Sequence, residues 1–252
     1  MSRIGIITGA GRGINKYLAN YFAKKNYLLT IISKTKNIYN TLSEIEKPKN
    51  IIPLIGDVTD KNFINGAITR TINKWGKIDF LVNGAAILGP SGLIADCDFK
   101  DWINTINVNL LGTVNTMQAV IPHMINIGKG KIVNFAGGGA AYAYPNFSAY
   151  AASKVAVVRL TETIAEELRP YNINVNVIAP GAVETDMLAQ VKELGGYVKT
   201  TVDIDEPIRL INYLVSDKSN HISGLFIHAR DNYENFGENI SNDFLKLRRV
   251  EK

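Results

Sequence analysis

The segment Ile4-Gly5-Ile6-Ile7-Thr8-Gly9-Ala10-Gly11-Arg12-Gly13-Ile14-Asn15 decides the fold. Its first five residues are rich in β-branched side chains and read as a strand. Glycines at 9, 11 and 13 then punctuate a turn, and the residues from Gly13 to Asn26 read as a helix. A glycine-rich turn between a strand and a helix lets backbone N–H groups approach a pyrophosphate at the helix N-terminus, where the dipole favours negative charge. A ligand-free βα turn uses the same residues, so the rest of the chain must decide between the two.

Strand-like runs recur at Tyr27–Ser33, Ile51–Ile55, Asp79–Val82, Lys131–Phe135, Ile173–Ile178 and Gly224–His228. Helix-length segments separate them, at Lys61–Trp75, Lys100–Ile127, Ser148–Leu168 and Ile204–Val215. This alternation specifies an α/β fold, a doubly wound parallel sheet of about seven strands between two helix layers. The runs are almost continuously apolar, as strands covered on both faces require. Arg169-Pro170 is a helix stop, because proline cannot continue the hydrogen-bond ladder. No Pro/Ser linker, low-complexity tract or repeat interrupts the pattern, and residues 1–229 read as one domain. Two stretches fall outside it. Thr185–Pro207 is a long connection, of the kind that forms lids and binding loops, with a flexible point expected at Gly195-Gly196. Residues 230–252 form a tail, with a short helix expected over Asn242–Arg249 behind Ser241 as its N-cap.

The 252 residues are enough to bury a core without disulfides or metal staples. At 46% hydrophobic and 20% charged, disorder, collagen and coiled coil are excluded as the dominant state. The longest apolar runs fall far short of the roughly 20 residues that span a bilayer, so no membrane partner is expected. Met1-Ser2-Arg3-Ile4-Gly5 enters a strand-like run at once, without signal-peptide character, and Cys97 is the lone cysteine; a cytoplasmic location is the expectation. His123, His221 and His228 are widely spaced and give no metal-ligand pattern. The net charge of +5 is scattered, with adjacent pairs only at Lys24-Lys25 and Arg248-Arg249. That distribution points away from nucleic acid but is compatible with an anionic small ligand.

Further motifs follow the turn in order. Asp57-Val58 follows the third strand, Leu81-Val82-Asn83-Gly84-Ala85-Ala86 ends the fourth, and Asn109 lies in Asn107-Val108-Asn109-Leu110-Leu111-Gly112. Tyr150-Ala151-Ala152-Ser153-Lys154 and Pro180-Gly181 with Thr185-Asp186-Met187 complete the set. Together with Thr8, Gly9 and Gly13 these resemble the motifs of the short-chain dehydrogenase/reductases over about residues 3–229. The resemblance implies a Rossmann-type fold and NAD(P)-dependent interconversion of a carbonyl and a secondary alcohol. It implies cofactor contacts from Gly9, Gly11, Arg12, Gly13 and Ile14 of the turn, Asp57 and Val58 at the adenine, and Asn83 and Ala85 beyond the fourth strand. Pro180, Gly181, Val183 and Thr185 are implied at the nicotinamide, with backbone contacts from Ala182 and Val183. Tyr150 is the implied acid/base, Lys154 its pKa modulator and ribose anchor, and Asn109 the holder of a relay water. A homodimer or homotetramer through the helices Lys100–Ile127 and Ser148–Leu168 is also implied.

The Tyr150–Lys154 pair has its own physical logic. Positions i and i+4 share one helix face. A neighbouring ammonium favours the anionic phenol, so Lys154 is expected to lower the Tyr150 pKa from its ordinary value near 10. A tyrosine so tuned exchanges a proton with a carbonyl or alcohol while hydride moves.

The departures matter equally. The resemblance implies a serine thirteen residues before the tyrosine, and Gly137 stands there, followed by Gly138 and Gly139. One reading gives the glycine run an anion-binding nest of backbone N–H groups, with hydroxyls from Tyr142 and Tyr144, and hence a polar, sugar-like or anionic substrate. The other gives it only a tight turn. Asn15 occupies the motif's third glycine position, and Gly84 and Ala86 replace an asparagine and a glycine. A degenerate dinucleotide-binding homologue with a structural or regulatory role is the alternative function. His123, Trp75 and Trp102 read as surface or packing residues, and Asp231-Asn232-Tyr233 as either a pocket cap or a tail contact.

Cofactor choice is read at the end of the second strand, where an acid bonds the ribose hydroxyls of NAD and cations accept a 2′-phosphate. Here Ser33-Lys34-Thr35-Lys36 carries no acid, and Arg12 stands just before Gly13. NADP(H) is therefore expected over NAD(H).

Overall fold

The computed structural model describes residues 2–196, 198, 201–236 and 246–247. Seven strands form one sheet: β1 Ile4–Thr8, β2 Leu28–Ser33, β3 Ile51–Ile55, β4 Phe80–Asn83, β5 Gly130–Phe135, β6 Ile173–Ala179 and β7 Phe226–His228. Their spatial order is β3-β2-β1-β4-β5-β6-β7, and every pair is parallel. The chain winds outward from β1 in one direction and returns to continue from β4 in the other. A crevice opens at such a reversal, outside the carboxyl ends of the strands.

The strand period of two sends neighbouring residues into opposite layers. Ile7, Ile31 and Val82 pack with Leu18 and Phe22 of α1 (Gly13–Lys24) and with Ile208 and Ile211 of a later helix. On the other face, Ile6, Leu81, Ile132 and Val175 meet Ile64 and Ile68, then Val120, Met124 and Leu168. This is the Rossmann-type three-layer arrangement expected from the alternation, and the strand limits agree with the sequence reading to within two residues.

The helices depart from expectation in three ways. First, α2 (Ile38–Ser43) was not anticipated; it is one and a half turns long and is tied down by Thr41 Oγ1 donating to the Ala10 carbonyl at 2.8 Å. After α3 (Lys61–Trp75), the segment read as one helix is three: α4 (Phe99–Ile106), a π-turn (Asn107–Leu111) and α5 (Gly112–Ile127). Finally, the long connection after β6 contains a helix. Following the one-turn α6 (Gly138–Ala141) and α7 (Ser148–Leu168), α8 spans Asp186–Glu193 and α9 spans Asp205–Leu214. Thr185 Oγ1 accepts from the Leu188 N–H to begin α8. Gly195 ends it: at φ +74° it takes the left-handed conformation that favours glycine, and its N–H reaches the Lys192 carbonyl at 3.1 Å.

The helix expected at Asn242–Arg249 lies largely outside the described residues. At Leu247 the chain docks on α7, its N–H donating to Glu162 Oε1 at 2.7 Å. Tyr233 is buried against Tyr213, with ring centroids 5.2 Å apart, which makes it a tail contact and not a pocket cap. His123 accepts the Ile78 N–H at 3.2 Å, and Trp102 Nε1 donates to Ser148 Oγ at 3.1 Å. Trp75 is half-buried, with the Lys74 ammonium 5.1 Å above its ring. Among the described residues no helix is long and apolar enough to cross a membrane, and no group of His, Cys, Asp and Glu is placed to hold a metal ion.

Candidate functional site

A cavity of about 410 Å³ occupies the crevice where the strand order reverses. At one end is the turn that opened the sequence. Gly9 has φ +71°, and a Cβ on it would lie 2.7 Å from the Gly84 carbonyl, so a side chain there is both strained and blocked. Helix α1 begins at Gly13 with no side-chain cap from Arg12 and no acid in its first turn. Its first N–H groups are therefore left for an anion, as a dinucleotide pyrophosphate requires. Gly11, Gly13 and Ile14 line the same end.

The second lobe is formed by Ser33, Lys34, Asp57 and Val58. Lys34 Nζ pairs with Asp57 Oδ2 at 2.8 Å. Burial pushes the Asp57 carboxyl up, but the Lys34 ammonium and the Thr59 groups outweigh it and hold the carboxyl below its ordinary value. Arg12 is exposed on the cavity rim, and its guanidinium has no partner among the described residues. These groups fit a dinucleotide, with one refinement to the sequence reading: Lys34 is already engaged by an acid from the loop after β3.

At the third lobe α7 contributes Tyr150 and Lys154, side by side in the cavity wall with Ala85, Pro180 and Thr185. Lys154 Nζ donates to the Phe135 carbonyl at 3.0 Å and lies 5.6 Å from the centre of the Tyr150 ring. Burial lowers the Lys154 pKa to about 8. Burial also raises the Tyr150 pKa to about 12, helped by the Tyr144 phenol, so the expected lowering by Lys154 is overturned. The ammonium points to a carbonyl and sits over the ring, and desolvation of the phenolate dominates.

Asn109 does not line the cavity. Its amide makes three hydrogen bonds within the protein: Oδ1 accepts the Ile87 N–H at 2.9 Å, and Nδ2 donates to the Ile87 carbonyl at 3.0 Å and to Ser153 Oγ at 2.9 Å. Asn83 is similarly buried, donating to Asn134 and accepting from Thr116. Gly181 and Val183 lie behind the lining, packed at Val202.

The glycine run forms no nest. Gly137 is fully extended, and Gly138 and Gly139 belong to the right-handed turn of α6, whereas a nest needs a left-handed partner. A Cβ on Gly137 would lie 2.8 Å from Tyr150 Oη. Tyr142 is 75% exposed, while Tyr144 is half-buried and stacks on Phe147 at 4.8 Å, its centroid 6.4 Å from that of Tyr150. Leu88, Phe147 and Val191 form an apolar wall with Tyr144 beside Tyr150. Asn37 and Asn104 also line the cavity and were missed. One precedes the unread α2, and the other sits on a helix face with no sequence mark to distinguish it.

The short chain dehydrogenase family pattern matches residues 3–194. The chain is 35% identical over 239 residues to the 3-oxoacyl-[acyl-carrier-protein] reductase FabG of Thermotoga maritima, covering 89% of this chain and 95% of that protein. It is 31% identical to the NAD-dependent glycerol dehydrogenase of Listeria innocua, covering 88% and 90%. Its structure superposes on ElxO with NADP bound at a TM-score of 0.83 and 28% identity, covering 91% and 97%. The chain therefore belongs to the short-chain dehydrogenase/reductase family and is an NAD(P)-dependent oxidoreductase of carbonyl and alcohol substrates.

Proposed function

We propose that this protein reduces a carbonyl to a secondary alcohol with NADPH, Tyr150 being the proton donor. The observation that carries this reading is the shared cavity: the uncapped N-terminus of α1, the Tyr150 phenol and the Lys154 ammonium all border one space. The dinucleotide supplies hydride when bound. Tyr150, held protonated by burial, enters as an acid and delivers its proton to the carbonyl oxygen as charge develops there. Lys154, beside the ring, stabilises the phenolate left behind. Asn109 keeps Ile87 and α7 in register around that proton path.

The relatives include an NAD-dependent enzyme and an NADP-bound one, so the preference rests on this chain's own residues. Arg12 is an unpaired cation on the rim, and Lys34 neutralises Asp57, the acid nearest the second lobe. Both favour a 2′-phosphate. The apolar wall of Leu88, Tyr144 and Phe147 favours a substrate that lays an apolar face beside Tyr150, in place of the anionic one a nest implied. A homodimer or homotetramer is supported by the exposed apolar residues Phe99, Ile103 and Leu111 along α4 and the π-turn, with Val155 on α7.

The test is titration of NADPH and NADH against wild type, Arg12→Ala and Tyr150→Phe, followed by turnover on a carbonyl panel. NADPH should bind more tightly than NADH, and Arg12→Ala should weaken NADPH about tenfold with little effect on NADH. Tyr150→Phe should retain binding and lose turnover. Tighter binding of NADH refutes the NADP reading, and full turnover by Tyr150→Phe refutes the proton donor.

A further inference from the structure

Two departures in the sequence, Asn15 and Gly84, meet in space. A Cβ built on Gly84 would lie 1.7 Å from Asn15 Nδ2 and 2.8 Å from its Cγ. The side-chain space of position 84 is thus already filled, by an amide reaching across from α1. Asn15 is 4% exposed, and its Oδ1 is buried without a hydrogen-bond partner among the described residues. An orphaned buried acceptor destabilises a folded chain, so its retention calls for a partner that arrives later. Asn15 belongs to the cavity lining, together with Gly9, Gly13 and Gly84.

We propose that Asn15 is a dinucleotide-binding residue whose amide replaces the side chain absent at Gly84 and pairs with a ribose hydroxyl of the bound NAD(P)(H). Pyrophosphate oxygens only accept hydrogen bonds and pair with the amide in just one of its two orientations. A ribose hydroxyl both donates and accepts, so it satisfies the amide in either of its two orientations. Because one space serves both positions, the residues are coupled: a side chain at 84 evicts Asn15, and restoring glycine at 15 makes room for it.

The proposal rests on the cavity taking a nicotinamide dinucleotide, and the wild-type titration tests that separately. Dissociation constants for NADPH and NADH by fluorescence, and the Tm of the unliganded protein by calorimetry, are measured for Asn15→Ala, Gly84→Asn and the exchange Asn15→Gly/Gly84→Asn. Asn15→Ala should raise both dissociation constants about tenfold while leaving Tm unchanged or higher, a split that a purely structural asparagine does not produce. Gly84→Asn alone should lower Tm and weaken binding, and the exchange should return both to near wild type. A binding constant for Asn15→Ala within twofold of wild type, or an exchange no better than Gly84→Asn, overturns the proposal. If Gly84→Asn does not fold, Asn15→Ala and the folding of the exchange decide. A wild type that binds neither dinucleotide withdraws both this proposal and the reading beneath it.

Discussion

Tyr150 lines the cavity from α7, and its nearest neighbours set what it does. Where a serine side chain is expected there is Gly137, and the space its Cβ would need lies 2.8 Å from the phenol oxygen. The Tyr144 ring, stacked on Phe147, has its centroid 6.4 Å from that of Tyr150, and its phenol is the candidate for the missing donor. Tyr144→Phe should therefore lower kcat about a hundredfold, the usual cost of one lost donor, with NADPH affinity unchanged. Gly137→Ser should lower kcat about tenfold, because Tyr150 must shift away from the new Cβ and small misplacements of a reacting group are expensive. Unchanged turnover in Tyr144→Phe, or a gain in Gly137→Ser, removes Tyr144 from the site. Single residues were legible where chemistry and helical spacing coincide, as at Tyr150 and Lys154. The Asn15–Gly84 contact was not, since it joins two elements, and each substitution alone reads only as a departure.

The element that does most to aim those residues is the broken helix α4–π-turn–α5. Its apolar spacing reads as one helix from Lys100 to Ile127, because a single i→i+5 turn adds one residue without erasing the pattern on either side. The effect is to bury Asn109, whose amide clamps both backbone groups of Ile87 and reaches Ser153 on α7. Asn109→Ala removes three hydrogen bonds, one buried and two part-buried, and leaves the Ile87 backbone unpaired. A loss of about 2–4 kcal/mol in unfolding free energy is expected, measurable by urea denaturation. Turnover should fall with it, whereas Asn109→Asp, which keeps the acceptor for the Ile87 N–H, should recover part of the stability. Loss of turnover at wild-type stability would point instead to direct chemistry by the amide. The strands were read correctly because burial on both faces gives them an unmistakable apolar run. Helices α2, α6 and α8 were not, being too short for a periodicity to emerge and held by caps and tertiary ties.

Across the whole molecule, strand β5 carries a buried ammonium near each end. Lys131, close to its start, donates to Asn174 Oδ1 at 2.8 Å and Ser219 Oγ at 3.3 Å, while Lys154 meets the carbonyl of Phe135 at its finish. Burial lowers each pKa from 10.5 to about 8, at Lys131 against the opposing pull of Asp217. Between pH 8 and 10.5 the unfolded chain holds protons that the folded one has released, so stability rises with pH through that window and is lost as pH falls through 8. Tyr150 acts oppositely: its folded pKa of about 12 makes stability fall as pH climbs from 10 to 12. The unliganded protein should accordingly be most stable near pH 10, and the lysines can be separated by substitution. Lys154→Met removes a buried charge at pH 7.5, where that charge costs up to about 3 kcal/mol, and at pH 10 less than about 1 kcal/mol of that cost remains. The difference in unfolding free energy between Lys154→Met and wild type should therefore drift toward wild type as pH rises, and Lys131→Met should drift the same way. Packing changes introduced by methionine are constant in pH and leave that slope untouched. A difference that stays flat from pH 7.5 to 10 would show that neither ammonium is desolvated, and with it that Lys154 reaches water in the unliganded cavity.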